Sequence, residues 1–505
     1  MTRLDFPFLL LLLVVPAVFA WQAPRMTSDR LARRYGIAVA VGMFLVASTL
    51  AILYFMSTKH PQIWVDPILI TYAGKLRPIL GIDALSAPLL PLSTLITLVV
   101  FLGCPRVDLD RHHIGSILLT EVTVLGLAMA QDLIVFVLFW IGMLIPSWLD
   151  ARRRHDLVLT RTIVRYQGLG VMGLVGAMIV LGISGLQDQM AAPLVLSALV
   201  NHRVPSNYAA VAAVFLVLAV IARGSLFPLQ TFLPVMFERG HSGLAELLFV
   251  ARPASYLVAR VLLPLLPDVG PTALSLVADL GLVTAIWGGL LALAQRDLRR
   301  FVGALATSQS GLTLIGLAST NAEGLAGGLV YWVASSLSLS ALVLVAHMVK
   351  ARTGTTDIRQ LGGLAQTMPR ASALFLIVGL TAIGLPGTLG FIGEDLLVHG
   401  VLDSYPWVAA VQLIATLLNG IALFRIYTEA FVGKTRSVKV PAGRDLAPRE
   451  RLAVAGLVVA TVAFGLSPRG IVHARDLAAE ETLTTESHHG HRLPNAPKSA
   501  PAVQH

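Results

Sequence analysis

Residues 209–236 read AAVAAVFLVLAVIARGSLFPLQTFLPVM, and residues 384–395 read GLPGTLGFIGED within a second long apolar run, 371–401. A helix rising 1.5 Å per residue needs only about 20 apolar residues to cross a ~30 Å hydrocarbon layer, so both runs are too long for one plain crossing. Both also carry breakers at their centres: Pro228 and Pro234 in the first, and Pro386, Gly387, Gly390 and Gly393 in the second. Charge lies beside each break, Arg223 in one and Glu394 with Asp395 in the other. Interrupted helices at matching places in two halves, here roughly 160 residues apart, are the sign of an inverted-repeat membrane fold with half-helix ends aimed at a midplane site. The plainer alternative is a kink kept for packing, because Pro and Gly are common in membrane helices.

Working outward, apolar runs parse the chain almost end to end, at 6–21, 35–56, 84–104, 114–130, 132–149, 166–184, 209–236, 243–264, 272–294, 301–319, 325–349, 371–401, 407–427 and 452–468. The expectation is an all-α polytopic protein of about fourteen spans, with inverted five-helix repeats over 114–264 and 272–427 and breaks in spans 7 and 12. A transmembrane domain would fill 1–470, and 471–505 would be a polar, disordered tail. The first run has only Arg3 against Asp5 before it, so it reads as a retained helix rather than a signal peptide.

Loop charge tests this parse, since one missed helix would invert every later loop. With the N-terminus outside, 26 of the 38 Lys and Arg residues fall in inner loops, among them Arg25, Arg30, Arg33, Arg34, Arg106, Arg152, Arg153, Arg154, Arg299, Arg300 and Arg449. Ten lie outside, and two, Arg223 and Arg252, lie within the membrane. Loop charge therefore puts both termini of this multi-pass chain on the outer side, and the expected location is a bacterial cytoplasmic (inner) membrane.

Composition agrees: 56% of residues are hydrophobic and 13% charged, with a mean hydropathy of +0.77. The formal charge of +10 is spread over short loops, which argues against a nucleic-acid-binding face. A single cysteine, Cys104, rules out an internal disulfide and a thiolate-held iron–sulfur cluster made by this chain alone. No cofactor, redox centre or metal site is expected. His488, His489 and His491 in the tail read as part of a solvated segment, with metal binding as the lesser reading.

The strings GIDALSAPLLPL (from Gly81), QDLIVFVLFWIGMLIPSWL (from Gln131), AQRDLRRFVGALATSQSGL (from Ala294), LGGLAQTMP (from Leu361) and GLPGTLGFIGEDLLVHG (from Gly384) together resemble one family. They are similar to the antiporter-like membrane subunits of respiratory complex I, most of all the M subunit of bacterial NADH:quinone oxidoreductase. The superfamily also holds Mrp-type antiporter subunits, membrane-bound hydrogenase subunits and the membrane subunit of bicarbonate-accumulating complexes. The resemblance spans about 80–470 and implies fourteen helices, other membrane subunits as partners, and protons or other monovalent cations as the species moved. It makes the chain a subunit of a translocase and leaves open whether it is itself an enzyme.

An ionisable group in the hydrocarbon core is costly unless paired or hydrated, so each is a functional candidate. These are Glu121, Arg223, Arg252 and Glu394, with Glu246, Gln309, His347 and Asp395 as secondary positions. The resemblance implies a relay along the membrane plane. In it Arg223 stands for a helix 7 lysine, Arg252 for a helix 8 lysine, Glu394 for a helix 12 glutamate, and Glu121 for a helix 4 glutamate. The departures are that Ile141, in FWIG, occupies the place of the essential helix 5 carboxylate, and that the usual histidines appear as Gln230, Gln309 and Ser335 or Ser336. Arginine keeps its proton where lysine can lose it, so such an axis cannot pass protons by protonating those groups in turn.

Two readings follow. Either Glu121 replaces the missing carboxylate, pairs with Arg223 and supports an altered proton path over water, or the subunit is a non-conducting scaffold whose arginines are structural. Glu246 reads as a structural partner of Arg239, Asp395 as pointing away from Glu394, and the serines of 335–340 as small packing residues.

Overall fold

The computed structural model describes residues 2–4, 6–57, 63–66, 69–72, 75–190, 193–200, 204–266, 269–319, 321–402, 406–434 and 445–487. About 80% of the described residues are helical. Among the described residues, ten helices are long and apolar enough to cross a membrane, or eleven if the pair Pro448–Leu466 and Arg469–Glu480, bent by 76°, counts as one. Leu89–Gly103 and Pro369–Ala382 are shorter apolar helices.

Both anticipated breaks are present, and the backbone groups they free are taken up by neighbouring helices, as a membrane interior requires. Helix Ser206–Gly224 stops where Ser225 turns left-handed at φ 56°, and the chain resumes as helix Phe232–Arg239. Within the break, Phe227 N–H donates to Thr284 Oγ1 at 2.9 Å, from helix Gly270–Ala294, and Leu233 N–H donates to Ser225 Oγ at 3.2 Å. The second break parts Pro369–Ala382 from Leu389–Leu402, with Gly384 and Gly387 at φ 77° and 88°. Here the freed carbonyl of Ala382 accepts from Gln309 Nε2 at 2.7 Å, from helix Leu298–Leu317.

A third break interrupts the span expected to run unbroken over 243–264. Helix Leu244–Ala251 ends at Arg252, itself left-handed at φ 34°, and helix Pro253–Leu257 follows. Proline disfavours helical geometry in the residue before it, so the sequence ARP carried this signal.

The long helix Ala322–Thr353 lies at the centre and is buried over nearly its whole length. Small residues let its neighbours close in: a Cβ on Gly288 would stand 2.4 Å from Ser308 N, and one on Gly311 would stand 2.3 Å from Gly281 O. Residues that face out of the bundle, such as Met172, Val214, Leu417 and Val459, are large and apolar.

Two features were not anticipated. Short strands Thr2–Arg3, Trp64–Val65 and Gly81–Ile82 form a small sheet, and Leu69–Tyr72 pairs antiparallel with Lys75–Pro78. Beside the sheet, Asp66 accepts from Leu9 N–H and Leu10 N–H at 3.2 and 2.8 Å and so satisfies the start of the first helix. The expected tail also begins as a helix, Arg469–Ser487, which places Arg475, Ala478 and Ala479 in buried positions. The small-residue face of this segment explains the departure from a disordered reading. Residues 488–505, with the tail histidines, lie outside the described residues.

Candidate functional site

Arg223 sits in the last turn of Ser206–Gly224 and Arg252 directly follows Leu244–Ala251. Each cation therefore lies at the negative end of a half-helix dipole, where a positive charge is favoured. Arg223 Nη1 donates to Gln167 Oε1 at 2.8 Å, its Nη2 donates to the Trp140 carbonyl, and the guanidinium lies 4.7 Å from the Trp140 ring centroid. Arg252 donates to the carbonyl of Gln309 at 3.3 Å, to Thr313 Oγ1, and to Ser335 Oγ at 2.6 Å, and it stacks 4.3 Å over Phe249. All of these partners are neutral. Both arginines line one small space of about 20 Å³, together with Leu233, Ser255 and Ser310, enough room for about one water.

Glu121 is wholly buried beside the Thr97 hydroxyl, and neither carboxylate oxygen reaches good hydrogen-bond geometry. The expected ion pair between Glu121 and Arg223 is absent: Arg223 Nη1 and Nη2 donate to Gln167 and the Trp140 carbonyl, and its Nε is buried without a partner. Glu246 faces its own helix start rather than Arg239. Its Oε2 accepts from Gly243 N–H at 2.6 Å and its Oε1 from Ser242 Oγ at 3.2 Å, a helix cap. Arg239 pairs instead with Asp156 at 3.4 Å.

Glu394 is buried and accepts from Thr416 Oγ1, and its Oε2 lies 2.5 Å from where a Cβ on Gly384 would stand. Asp395, the next residue, is exposed, with His399 at 3.6 Å. Tyr331 lies within electrostatic reach of both Arg252 and Glu394. The structure thus brings Arg223, Arg252, Gln309 and Ser335 into one polar core with Glu394 beyond Tyr331, and leaves Glu121 outside it. Gln309 Oε1 and Gln230 Oε1 have no partner. His347 is buried elsewhere, near Arg299 and Lys350. The hydroxyls of Ser335, Ser336 and Ser338 bond back to carbonyls of their own helix at 2.6, 2.7 and 3.0 Å.

Sequence reading missed Gln167, Thr313 and Thr416, neutral partners with no motif of their own. It also missed the ion pair between Asp83 and Arg260, two residues 177 positions apart. The GIDALS string held the signal for Asp83, which also accepts from Ser86 N–H and Oγ at 2.9 Å each.

The family model described as NADH:quinone oxidoreductase/Mrp antiporter, TM, matches residues 130–419. The chain belongs to that family. The matched region contains Arg223, Arg252, Gln309, His347 and Glu394 but not Glu121. This antiporter-like, multi-pass membrane subunit is 32% identical over 356 residues to NADH-quinone oxidoreductase subunit 13 of Thermus thermophilus, covering 70% of this chain and 74% of the relative. To NAD(P)H-quinone oxidoreductase chain 4 1 of Nostoc sp. it is 27% identical over 510 residues, 95% of this chain and 92% of the other. A chain of respiratory complex I from Thermus thermophilus with bound NADH matches at a TM-score of 0.82 and 27% identity, over 95% of this chain and 99% of that one. A chain of the Mrp complex from Dietzia sp. shares the fold at a TM-score of 0.82 and 20% identity, over 94% and 98%.

Proposed function

We propose that this chain is a membrane-arm subunit of a complex I-like assembly, held among other membrane subunits in a bacterial cytoplasmic membrane with both termini outside, and that its central axis is fixed in charge. The observation that carries this reading is the placement of Arg223 and Arg252 at two half-helix C-termini, where their Nη groups donate only to neutral acceptors. Such a site tolerates a permanent cation without a carboxylate. Two fixed positive charges around a one-water cavity raise an electrostatic barrier to a passing proton, as an arginine does in a proton-excluding pore. Proton translocation then belongs to the assembly, and this subunit contributes structure and coupling at its centre. Loop charge supports the orientation, and the two broken helices at corresponding places support the inverted-repeat, fourteen-helix reading.

A second reading, translocation through this chain, is favoured by one observation: Glu121 is a wholly buried carboxyl with no charged partner among the described residues, the state expected of a group that hands a proton on. The test is proton flux and quinone-reductase turnover of the reconstituted assembly with Glu121→Gln and with Glu394→Gln. Unchanged protons per electron in both variants supports the fixed-charge reading. A drop in either, at normal assembly, overturns it in favour of translocation.

A further inference from the structure

Away from the arginines, three side chains from distant parts of the chain converge at the end of the bundle that carries the basic loops. His113 lies at the start of helix Arg111–Met129, Asp150 near the end of Leu144–Arg153, and His241 in the turn between Phe232–Arg239 and Leu244–Ala251. One ligand atom from each lies within 4.8 Å of the other two. His113 and Asp150 are 2% and 5% exposed.

The hydrogen bonds leave this cluster with an unused lone pair. His113 Nε2 stands 2.8 Å from the Ser242 carbonyl, which can only accept, so that nitrogen carries the proton. Its Nδ1 is then a bare lone pair, buried and without a donor. A backbone carbonyl that fixes the tautomer from behind is the usual outer partner of a metal-binding imidazole. On the facing side, His241 Nδ1 stands 2.9 Å from Asp150 Oδ1, while Arg154 holds Asp150 Oδ2 at 2.7 Å. Arg154 thereby orients the carboxylate through Oδ2, and a cation would take Oδ1 in place of the His241 N–H.

We infer that His113, Asp150 and His241 form a binding site for a divalent transition-metal ion, with zinc as the best fit. Two imidazoles and one carboxylate with a water in the fourth position suit tetrahedral zinc, whose bonds of about 2.0–2.2 Å set ligand atoms about 3.3 Å apart. Side-chain rotation within the cluster closes the remaining distance. Calcium and magnesium, which require oxygen ligands, do not fit this donor set. An ion there ties the turn that follows the broken helix to two neighbouring helices. No local spacing announced the site, because Asp150 and His241 are 91 residues apart.

The test uses the full chain in its assembled complex, with His488, His489 and His491 replaced by alanine to remove binding by the tail. After chelator treatment, the complex is given zinc sulfate, desalted and assayed for metal and for melting temperature. One zinc per chain above the level of a His113→Ala His241→Ala variant is expected, with a zinc-dependent rise in melting temperature. His241→Gln, at a partly exposed position, should keep the metal-free melting temperature and lose the zinc-dependent rise. Equal zinc content with and without the two histidines, or no zinc-dependent rise in the parent, overturns the site.

Discussion

Arg223 donates to the backbone carbonyl of Trp140, one residue before Ile141. The family resemblance puts a carboxylate at position 141; here the Trp140 peptide group and the Gln167 amide hold the guanidinium. The charge is thus held by dipoles, and the Trp140 ring adds a cation–π contact.

Removing the arginine should therefore cost stability. Arg223→Ala leaves the Gln167 amide oxygen and the Trp140 carbonyl without their donor in a buried site, at about 1–3 kcal/mol for each buried unsatisfied group. Arg223→Lys should lose less, because an ammonium reaches one of the two acceptors. Melting of the purified complex in detergent should rank wild type above Lys above Ala, and an alanine variant that melts like wild type would show that these bonds do not form.

Glu246 gives a sharper separation of structural from ion-carrying roles. Its two oxygens cap the helix Leu244–Ala251, and glutamine can accept the same bond from Gly243 N–H. Glu246→Ala should lose about 1 kcal/mol, the usual cost of a lost cap, while Glu246→Gln should leave both melting and proton flux near wild type. A flux loss in the glutamine variant at normal stability would assign Glu246 to ion movement.

The breaks in spans 7 and 12 were legible because Pro and Gly cannot continue a helix silently, and Arg252–Pro253 shows that the same rule read more strictly would have found the third. Glu394 was legible from its place beside such a break. The partner of Arg223 was not, since any of several helices can offer a carbonyl or an amide, and a missing carboxylate suggested that another must replace it. Glu121 is equally buried, but the helix that carries it presents no oxygen to Arg223. Residues 64–82 show the converse limit: Trp64–Val65 and Gly81–Ile82 pair across an intervening hairpin, and strands of two residues have no periodicity to read.

Asp83 and Arg260 form a part-buried pair, with side chains 3% and 13% exposed. Burial raises the Asp83 carboxyl, but the Arg260 guanidinium and the Ser86 bonds outweigh it and hold the group below its ordinary value. A carboxyl lowered in the folded state adds stability that is present above its unfolded pKa and is lost as pH falls through the folded one. Asp83→Asn keeps the bonds from Ser86 and removes the charge, so it should cost about 3 kcal/mol at neutral pH, as for a broken buried pair. The difference in melting from wild type should stay constant from neutral pH down to the ordinary carboxylate range and shrink only below it. A difference that vanished already near neutral pH would mean that the pair does not hold Asp83 ionised.

Gly384 and Glu394 test the second broken helix as a unit. Gly384 is at φ 77°, and a Cβ there would lie 2.5 Å from Glu394 Oε2. Gly384→Ala thus meets two costs: a left-handed conformation unfavourable to alanine by about 1–2 kcal/mol, and a clash that moves the carboxylate off Thr416. The first is local to the backbone and survives any change at Glu394. The second disappears when the carboxylate is removed. Gly384→Ala in a Glu394→Ala background should therefore cost less than in wild type, with a coupling of about 1 kcal/mol or more for contacting residues. Strict additivity of the two changes in melting stability would show that the turn and the carboxylate are independent.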